Sequence, residues 1–246
     1  MTKNIFVTGT SSGIGEQIVI ALLGAGQSVV GLSRRESPII MGHPHYKHIH
    51  LDLSDLNELE RAISSGKLSE ALDCDVAYLN AGTFGPTPNH GHNLELTDFT
   101  HVMNVNCISN KLLLDALARE DRPIKIGISS SISSVRFRAG MSVYSASKAS
   151  LNALAHIYAK EYPRMFIVNI GLCNVDTPLW QTILTPNLNP DLEELSALRE
   201  RAKQPGYLSS PASRADQLIK ITTHPELFGV QSGEFIEIRS LSHLLS

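Results

Sequence analysis

Short apolar runs alternate with longer amphipathic patterns along the whole chain. The amphipathic patterns predict helices over residues 13–25, 54–66, 96–119, 142–162 and 210–223. The apolar runs predict seven strands, and the first six are mostly continuous, which is typical of strands covered on both faces of a parallel sheet. The seven runs are NIFVTG, SVVGLS, HIHLDL, CDVAYLN, IKIGISS, FIVNIG and GEFIEIR.

This order of elements predicts a single α/β domain over residues 1–246. Repeated βα units with right-handed crossovers favour a Rossmann-type, doubly wound, mostly parallel seven-stranded sheet in three α/β/α layers. One irregular, proline-containing stretch covers about residues 173–209. Leu179 and Trp180 would be costly to leave exposed, so we predict a substrate lid there, with a plain surface excursion as the alternative.

The composition excludes some classes of partner but identifies no reaction. The chain is 42% hydrophobic and 18% charged with a net charge of -3, so it has no basic footprint for nucleic acid. No apolar run is long enough to span a bilayer, and the N-terminus lacks a signal-peptide pattern. We therefore expect a soluble cytoplasmic protein without a membrane or nucleic-acid partner.

Neither cysteine nor histidine spacing predicts a metal site. Cys74, Cys107 and Cys173 are scattered and form no disulfide framework or CxxC pattern, so we expect reduced thiols. HPHYKHIH brings four histidines close together between positions 43 and 50. No cysteine or carboxylate cluster joins them, so exposed histidines are favoured over metal ligands.

A glycine-rich turn, TGTSSGIG, directly follows the first strand and precedes an apolar helix. Glycines there let the backbone turn tightly and approach a pyrophosphate, while the helix N-terminus contributes amides and a positive dipole end. Glycines that serve loop conformation alone are the alternative, but the strand and helix on either side favour a dinucleotide site. The predicted contacts are Gly9, Ser11, Ser12, Gly13, Ile14 and Gly15.

The second strand ends in GLSRR, where an NAD enzyme would carry an acid for the ribose 2′-hydroxyl. Ser33 stands there instead, followed by Arg34 and Arg35. Arginine donates charge-assisted hydrogen bonds to a 2′-phosphate, whereas a carboxylate would repel it. The sequence thus favours NADP(H) over NAD(H), with Ser33 and Arg34 as contacts; a solvated turn is the alternative.

Two more candidate contacts lie at predicted strand ends, where doubly wound sheets bind ligands. The third strand is predicted to end at Asp52, next to Leu53, although Asp52 could instead cap the helix that begins at Ser54 or Asp55. The fourth strand ends in NAG, which contributes Asn80, Ala81 and Gly82.

The order of these motifs is similar to that in a known protein family. TGTSSGIG, NAG, NVN, a serine thirteen residues before a tyrosine, and YSASK follow one another. In this the chain resembles the short-chain dehydrogenases/reductases over nearly its whole length. The resemblance implies a Rossmann-type fold, a nicotinamide cofactor and a catalytic tetrad that corresponds to Asn106, Ser131, Tyr144 and Lys148.

The residues support this tetrad independently. Tyr144 and Lys148 lie four positions apart on one predicted helical stripe, and a lysine on a core-facing stripe is unusual. A phenol has a pKa of about 10, and efficient proton transfer needs a lower pKa. A neighbouring ammonium and an oxidised nicotinamide would lower the pKa by favouring the phenolate.

The chemistry implied by the resemblance is hydride transfer between NADP(H) and a carbonyl or alcohol. Tyr144 would give the proton, Ser131 would hydrogen-bond the carbonyl oxygen, Lys148 would also bind the nicotinamide ribose, and Asn106 would hold a water that links Lys148 to solvent. Two assignments keep alternatives, because the run from 129 to 134 offers five serines and Asn104 lies near Asn106.

The chain departs from the family pattern after the sixth strand, where Leu172 and Cys173 replace a common Pro-Gly pair. Val175 and Thr177 still match the positions that meet the cofactor's carboxamide, and both stay predicted cofactor contacts. Cys173 is either a reactive thiol or, more in line with its type, a small buried hydrophobe. The C-terminus also lacks the glycine pair that often follows the last strand.

The leading interpretation is an NADP(H)-dependent carbonyl reductase. An NAD-dependent alcohol dehydrogenase and a dinucleotide-binding regulator without turnover are the alternatives. Phe84, Val143, Trp180 and Tyr207 predict a partly apolar pocket, which leaves the substrate open. The resemblance alone implies a homodimer or homotetramer built on the helices at 96–119 and 142–162.

Overall fold

Seven strands form one sheet in the computed structural model, which describes residues 4–185 and 188–245. They are β1 (Asn4–Thr8), β2 (Ser28–Ser33), β3 (Tyr46–His50), β4 (Val76–Leu79), β5 (Ile124–Ser130), β6 (Met165–Gly171) and β7 (Phe235–Glu237). Their order across the sheet is β3-β2-β1-β4-β5-β6-β7, and every neighbouring pair is parallel. The predicted doubly wound sheet is confirmed, and it is entirely rather than mostly parallel.

Helices cover both faces of this sheet. They are α1 (Gly13–Gly24), α2 (Leu56–Ser64), α3 (Ser69–Leu72), α4 (Leu96–Met103), α5 (Ser109–Arg119), α6 (Ser142–Glu161), α7 (Pro178–Leu184), α8 (Glu193–Ala202) and α9 (Pro211–Thr223). Short 3₁₀ turns occupy Gly91–Asn93, Ile132–Ser134, Pro225–Phe228 and Ile238–Leu244. Apolar residues of α1 and α9 pack on one face, and those of α2, α5 and α6 pack on the other, which gives the three predicted layers.

Two elements have bounds in the structure that differ from the predicted ones. β3 ends at His50 rather than Asp52, because its pairing with β2 stops where β2 itself stops, at Ser33. The predicted helix over 96–119 is divided into α4 and α5 by one π-helical turn, Asn104–Ile108. π turns are rare and often lie at functional sites. This one contains Asn106, a predicted site residue.

The irregular stretch over 173–209 holds two helices, α7 and α8, and its two ends lie side by side. Val175 and Ser209 form a parallel β-bridge. The Ser209 N–H donates to the Asn174 carbonyl at 3.0 Å, and the Asp176 N–H donates to the Ser209 carbonyl at 3.0 Å. Residues 186 and 187 of this predicted lid lie outside the described residues.

The sheet topology determines where ligands can bind. The chain leaves β1 toward β2 and β3 on one side and continues through β4 on the other, so a crevice opens at the carboxyl ends of β1 and β4. Along the described ranges, no helix has the length and apolar character needed to cross a membrane.

Candidate active site

The turn between β1 and α1 is built from backbone. Gly9 has φ +77°, a conformation that side chains rarely adopt. A Cβ at Gly15 would lie 2.2 Å from the Gly9 carbonyl oxygen and 2.6 Å from Asn80 Nδ2. Only glycine fits there, so the turn can close over the first turn of α1. The result is an open cradle of backbone amides, which suits a pyrophosphate.

This cradle lines the first of several neighbouring cavities formed by the described residues. We call it the glycine-turn cavity; its volume is about 380 Å³. Among the predicted cofactor contacts, the cavity is lined by Gly9, Ser11, Ser12, Gly13, Ile14, Ser33, Arg34, Asp52, Leu53, Asn80, Ala81, Gly82 and Thr177. Residues distant in sequence thus share one elongated surface that fits a dinucleotide.

The end of β2 carries Ser33 and Arg34 into this cavity. Ser33 Oγ lies 3.0 Å from Thr10 Oγ1 and 3.0 Å from His48 Nε2, so the serine is held in place. Arg34 is exposed, and its Nη1 lies 4.0 Å from Asp52 Oδ2. This long contact leaves most of the donors of Arg34 directed to solvent.

Asp52 does not cap α2. Its Oδ1 accepts hydrogen bonds from Ser54 N and Ser54 Oγ, both at 2.9 Å, while Asp55 is the residue that caps α2. Burial acts to raise the pKa of Asp52, but the Ser54 hydrogen bonds and the Arg34 charge outweigh it and lower the pKa. Asp52 therefore stays ionised at the cavity wall.

Tyr144 and Lys148 lie at the start of α6, next to the second cavity. Both are buried, with 7% and 3% of their surface exposed. Lys148 Nζ donates to the Ser129 carbonyl at 2.8 Å and lies 6.0 Å from the centre of the Tyr144 ring. The structure thus brings the two side chains together, with the ammonium held by the end of β5.

Hydrogen bonds distinguish among the serines of the run from 129 to 134. Ser129 Oγ donates to Asn80 Oδ1 at 2.9 Å, and Ser130 Oγ donates to Asn152 Oδ1 at 2.6 Å. Ser131 Oγ accepts from the Ser133 N–H at 3.1 Å, and Ser131 is the serine of this run that acts to lower the pKa of Tyr144. Its position beside the phenol agrees with the choice made from family spacing.

The two asparagines of NVN, Asn104 and Asn106, also have different hydrogen-bond partners. Asn104 Nδ2 donates to the Ser54 carbonyl at 3.2 Å, so this side chain fastens the helix to the start of α2. Asn106 is fully buried and exchanges two 2.8 Å hydrogen bonds with the Thr83 backbone. A Cβ placed on Gly82 would lie 3.4 Å from Asn106 Oδ1 and 3.5 Å from Lys148 Nζ, which places Asn106 close to the lysine.

The pKa of Tyr144 differs from the sequence-based expectation. Burial raises it, and the Ser131 hydrogen bond offsets only part of that increase. Burial also lowers the pKa of Lys148 to about 8. The predicted lowering of the Tyr144 pKa relied on a bound oxidised nicotinamide as well as Lys148 and stays a prediction for that state; among the protein's own groups, burial exceeds the effect of Ser131.

Cys173, which follows β6, has φ +60°, and among the described residues no other non-glycine residue has positive φ. Its Sγ lies 3.2 Å from Glu237 Oε1. Burial, followed by this carboxylate, raises the pKa of the thiol to about 11. The thiol is therefore protonated near neutral pH, which disfavours a nucleophilic thiolate.

Thr177 caps α7: its Oγ1 accepts from Trp180 N at 3.4 Å. Its methyl carbon would lie 3.4 Å from a Cβ at Gly13, so the start of the 173–209 segment touches the glycine turn. Val175 lies in the bridge that closes this segment and lines the second cavity.

The second cavity, which we call the tyrosine cavity, has a volume of about 340 Å³. Ser131, Tyr144 and Lys148 line it, together with Asn80 and Thr177, which it shares with the glycine-turn cavity. Of the predicted apolar lining, Phe84, Trp180 and Tyr207 contribute, whereas Val143 lines a neighbouring cavity instead. Phe84 stacks on Tyr144 with ring centres 4.8 Å apart.

The sequence-based reading missed the charge of this cavity. Arg136, Arg138 and Arg201 line it, and none of the described residues in its lining is Asp or Glu. The available signal was RFR, two arginines between the serine run and YSASK. Arg201 could not have been assigned, because only the folded 173–209 segment brings it there.

The four histidines between 43 and 50 divide between β3 and the turn before it, where the rings of His43 and His45 lie 6.0 Å apart. His48 points to Ser33 from β3, and His43 and His45 lie in the turn before that strand. Within residues 4–185 and 188–245, no group of three or more His, Cys, Asp or Glu residues is placed to hold a metal ion.

Comparisons with known proteins show the family of this chain. A family model described as short chain dehydrogenase matches residues 3–188. Sorbitol-6-phosphate 2-dehydrogenase of Klebsiella pneumoniae is 26% identical over 236 residues, covering 88% of this chain and 85% of its own. Sepiapterin reductase of Bos taurus is 26% identical over 254 residues, covering 94% and 92% of the two chains.

Solved structures share the architecture. The structure of the KRED1-Pglu enzyme superposes with a TM-score of 0.78 at 25% identity, covering 96% of this chain and all of the other. A 3-ketoacyl-(acyl-carrier-protein) reductase from Brucella melitensis, complexed with NADH, has a TM-score of 0.77 at 20% identity, covering 96% of each chain. The latter similarity supports the fold alone.

Proposed function

Because the chain belongs to the short-chain dehydrogenase family, we propose that it uses NADP(H) to reduce a carbonyl group of a small molecule, with Tyr144 as the proton donor. The chain is an oxidoreductase of CH–OH or C=O groups, and the family uses a nicotinamide dinucleotide cofactor. The bound cofactor supplies the hydride. The observation that carries the proposal is the meeting of Ser131, Tyr144 and Lys148 in a cavity that shares a wall with the glycine turn.

In this mechanism Tyr144 gives its proton to the carbonyl oxygen. Its raised pKa keeps the phenol protonated at neutral pH, which suits an acid. Ser131 donates a hydrogen bond to the same oxygen and fixes its position. The ammonium of Lys148 favours the phenolate that forms, while Asn106 holds the Gly82–Thr83 backbone beside it.

The preference for NADP(H) rests on the end of β2. Ser33 replaces a carboxylate there, and exposed Arg34 offers charge-assisted hydrogen bonds to a 2′-phosphate. NAD(H) is the alternative, and one contact favours it: Asp52 lies 4.0 Å from Arg34 and could hold this arginine away from the cofactor.

The names of the relatives include a sugar phosphate and a pterin, so they do not define one substrate class. The test is NADPH oxidation against a panel of aldehydes, ketones, diketones and quinones. Tyr144→Phe should lower kcat about 10²- to 10⁴-fold, since it removes the proton donor. NADPH binding should remain.

The matched control is Tyr162→Phe, the same change at the end of the same helix and away from the tyrosine cavity. It should keep wild-type turnover. If Tyr144→Phe retains its rate on a substrate that the wild type reduces, Tyr144 is not the acid. If the wild type reduces nothing on the panel yet binds NADPH, a regulator without turnover becomes the better account.

A further inference from the structure

Three guanidinium groups meet on one wall of the tyrosine cavity. Arg136 and Arg138 follow the 3₁₀ turn after β5, and Arg201 lies near the end of α8. We call these three residues the arginine cluster. They lie on two chain segments that come together in the fold, since the charges of Arg136 and Arg201 both act on Arg138.

The charge of this cluster is incompletely balanced. Arg136 has Glu194 at 3.9 Å. Arg138 and Arg201 have no ion pair and no side-chain hydrogen bond with any residue in the described part of the chain. A fourth arginine of the cavity, Arg239, is bonded to Glu237.

Arg138 lies beside two like charges. The side chain is half-buried. Burial lowers its pKa, and the charges of Arg136 and Arg201 lower it further, while Glu194 and Tyr207 act in the opposite direction. An anion between the guanidinium groups would remove this repulsion.

We propose that the arginine cluster binds an anionic group on the carbonyl substrate, a phosphate or a carboxylate. Arg138 and Arg201 contribute two unpaired positive charges, and a phosphate monoester carries a charge of about -1.5 to -2 at neutral pH. A phosphate is therefore the better match in charge. The planar forks of arginine also fit both groups through paired N–H donors.

The remaining lining residues indicate the polarity of the part of the substrate between its carbonyl and its anionic group. Phe84, Trp180, Ile183 and Leu198 form an apolar wall next to Tyr144. The carbonyl carbon lies at Tyr144 and the anionic group at the arginine cluster, so the connecting part contacts apolar side chains. The substrate class is an aldehyde or ketone with an apolar or aromatic middle and one anionic end.

The inference rests on the proposed reduction, so its test begins with turnover. The probes are 4-formylphenyl phosphate, 4-carboxybenzaldehyde and, as the neutral control, 4-methoxybenzaldehyde, each with NADPH. Wild type should have a kcat/KM for an anionic probe at least about 10-fold above that for the neutral one. Comparison of the two anionic probes distinguishes a phosphate site from a carboxylate site.

Arg138→Met and Arg201→Met should each lower kcat/KM for the anionic probes about 10- to 100-fold, mainly through KM, and leave the neutral probe within about 3-fold. Arg199→Met is the matched control. It lies on the same helix, pairs with Glu200 and lies outside the cavity lining. Its kinetics should equal those of wild type.

A binding experiment separates failure of this inference from failure of the proposed reduction. Trp180 is the one tryptophan of the chain and lines the tyrosine cavity, so its fluorescence reports ligands there without turnover. Phenyl phosphate or benzoate should bind with a Kd that rises about 10-fold or more in Arg138→Met and is unchanged in Arg199→Met. Benzyl alcohol should bind more weakly than either anion.

Two results overturn the inference. The first is equal wild-type kcat/KM for anionic and neutral aldehydes. The second is a similar loss on all three aldehydes in Arg138→Met, which would mean that the substitution disturbs the cavity rather than an anion site. If no aldehyde is reduced but phenyl phosphate still binds through Arg138, the anion site stands and the proposed reduction fails.

Discussion

The glycine-turn cavity and the tyrosine cavity adjoin at the same edge of the sheet, but they are built differently. The first is made of strand ends and a backbone turn, and its shape depends on the missing side chains of Gly9 and Gly15. The second is made of side chains from α6, from the serine run after β5 and from the 173–209 segment.

The difference has a physical origin. A cofactor shared by a whole family can be held by backbone amides and a fixed sheet edge, which tolerate few alternatives. A substrate is recognised by the side chains that touch it, and these can change without altering the fold. Substitutions in the glycine-turn cavity should therefore change cofactor binding. Substitutions in the tyrosine cavity should change turnover or specificity.

The largest effect is expected for Gly15→Ala. The new methyl group would meet the Gly9 carbonyl oxygen at 2.2 Å, and backbone cannot move aside cheaply. We expect loss of measurable NADPH binding and a destabilisation of about 1–3 kcal/mol. Gly24→Ala, at the other end of α1 with nothing within 4 Å, is the control and should bind NADPH normally. Normal NADPH binding by Gly15→Ala would place the cofactor elsewhere.

The next effect concerns Lys148, at the junction of the two cavities. Its pKa of about 8 means that the ammonium is present below pH 8 and is lost above it. The raised pKa of Tyr144 keeps the phenol protonated over this range. The reductive kcat should therefore fall as pH rises through about 8, by up to about tenfold per pH unit. A pH profile of single-turnover reduction measures this.

Lys148→Arg keeps a charge at all accessible pH values. Whatever activity this variant retains should show no fall near pH 8. If the fall persists in Lys148→Arg, another group is responsible for it.

A smaller effect is expected at Arg34. Arg34→Ala should raise the Kd of NADPH about 10-fold and leave that of NADH within about twofold, because only NADPH has the 2′-phosphate. Arg35→Ala should change the Kd of NADPH less, because Arg34 directly follows the strand. Both values are measured by titration of the reduced cofactor. Equal effects of Arg34→Ala on the two cofactors would favour NAD(H).

The smallest effect is expected at Cys173. Both Cys173→Gly and Cys173→Ala lose the thiol, but only glycine adopts φ +60° without a Cβ penalty. Cys173→Gly should therefore be the more stable of the two by about 1 kcal/mol in chemical denaturation. Equal stability would mean that the chain relaxes this turn at little cost.

The sequence predicted the glycine-turn cavity well because periodicity and turn residues specify it directly. The doubly wound parallel sheet and the positions of Gly9 and Asn80 at strand ends follow from local patterns combined with the topology of such a sheet. The place of Ser131 among five serines came from family spacing, since local pattern alone treats them alike.

The tyrosine cavity was predicted only in part. Arg201 reaches it through the path of an irregular segment, and no periodic pattern encodes such a path. Val143 was predicted to line this cavity, but it lies next to Tyr144 on α6, and successive residues of a helix point about 100° apart. The contribution of burial to the pKa of Tyr144 was missed, because burial is a property of the folded environment.

The π turn over Asn104–Ile108 changes the direction in which the side chains of the following helix point. It holds one residue more than an α-helical turn, so everything after it is rotated by about 100° relative to an uninterrupted α-helix. Before the shift, Val102 faces the interior; after it, Leu113, Leu114 and Leu117 do so as well. Deleting one residue from this turn would remove the rotation. Either those leucines would then turn away from the interior, or Asn106 would move away from Lys148.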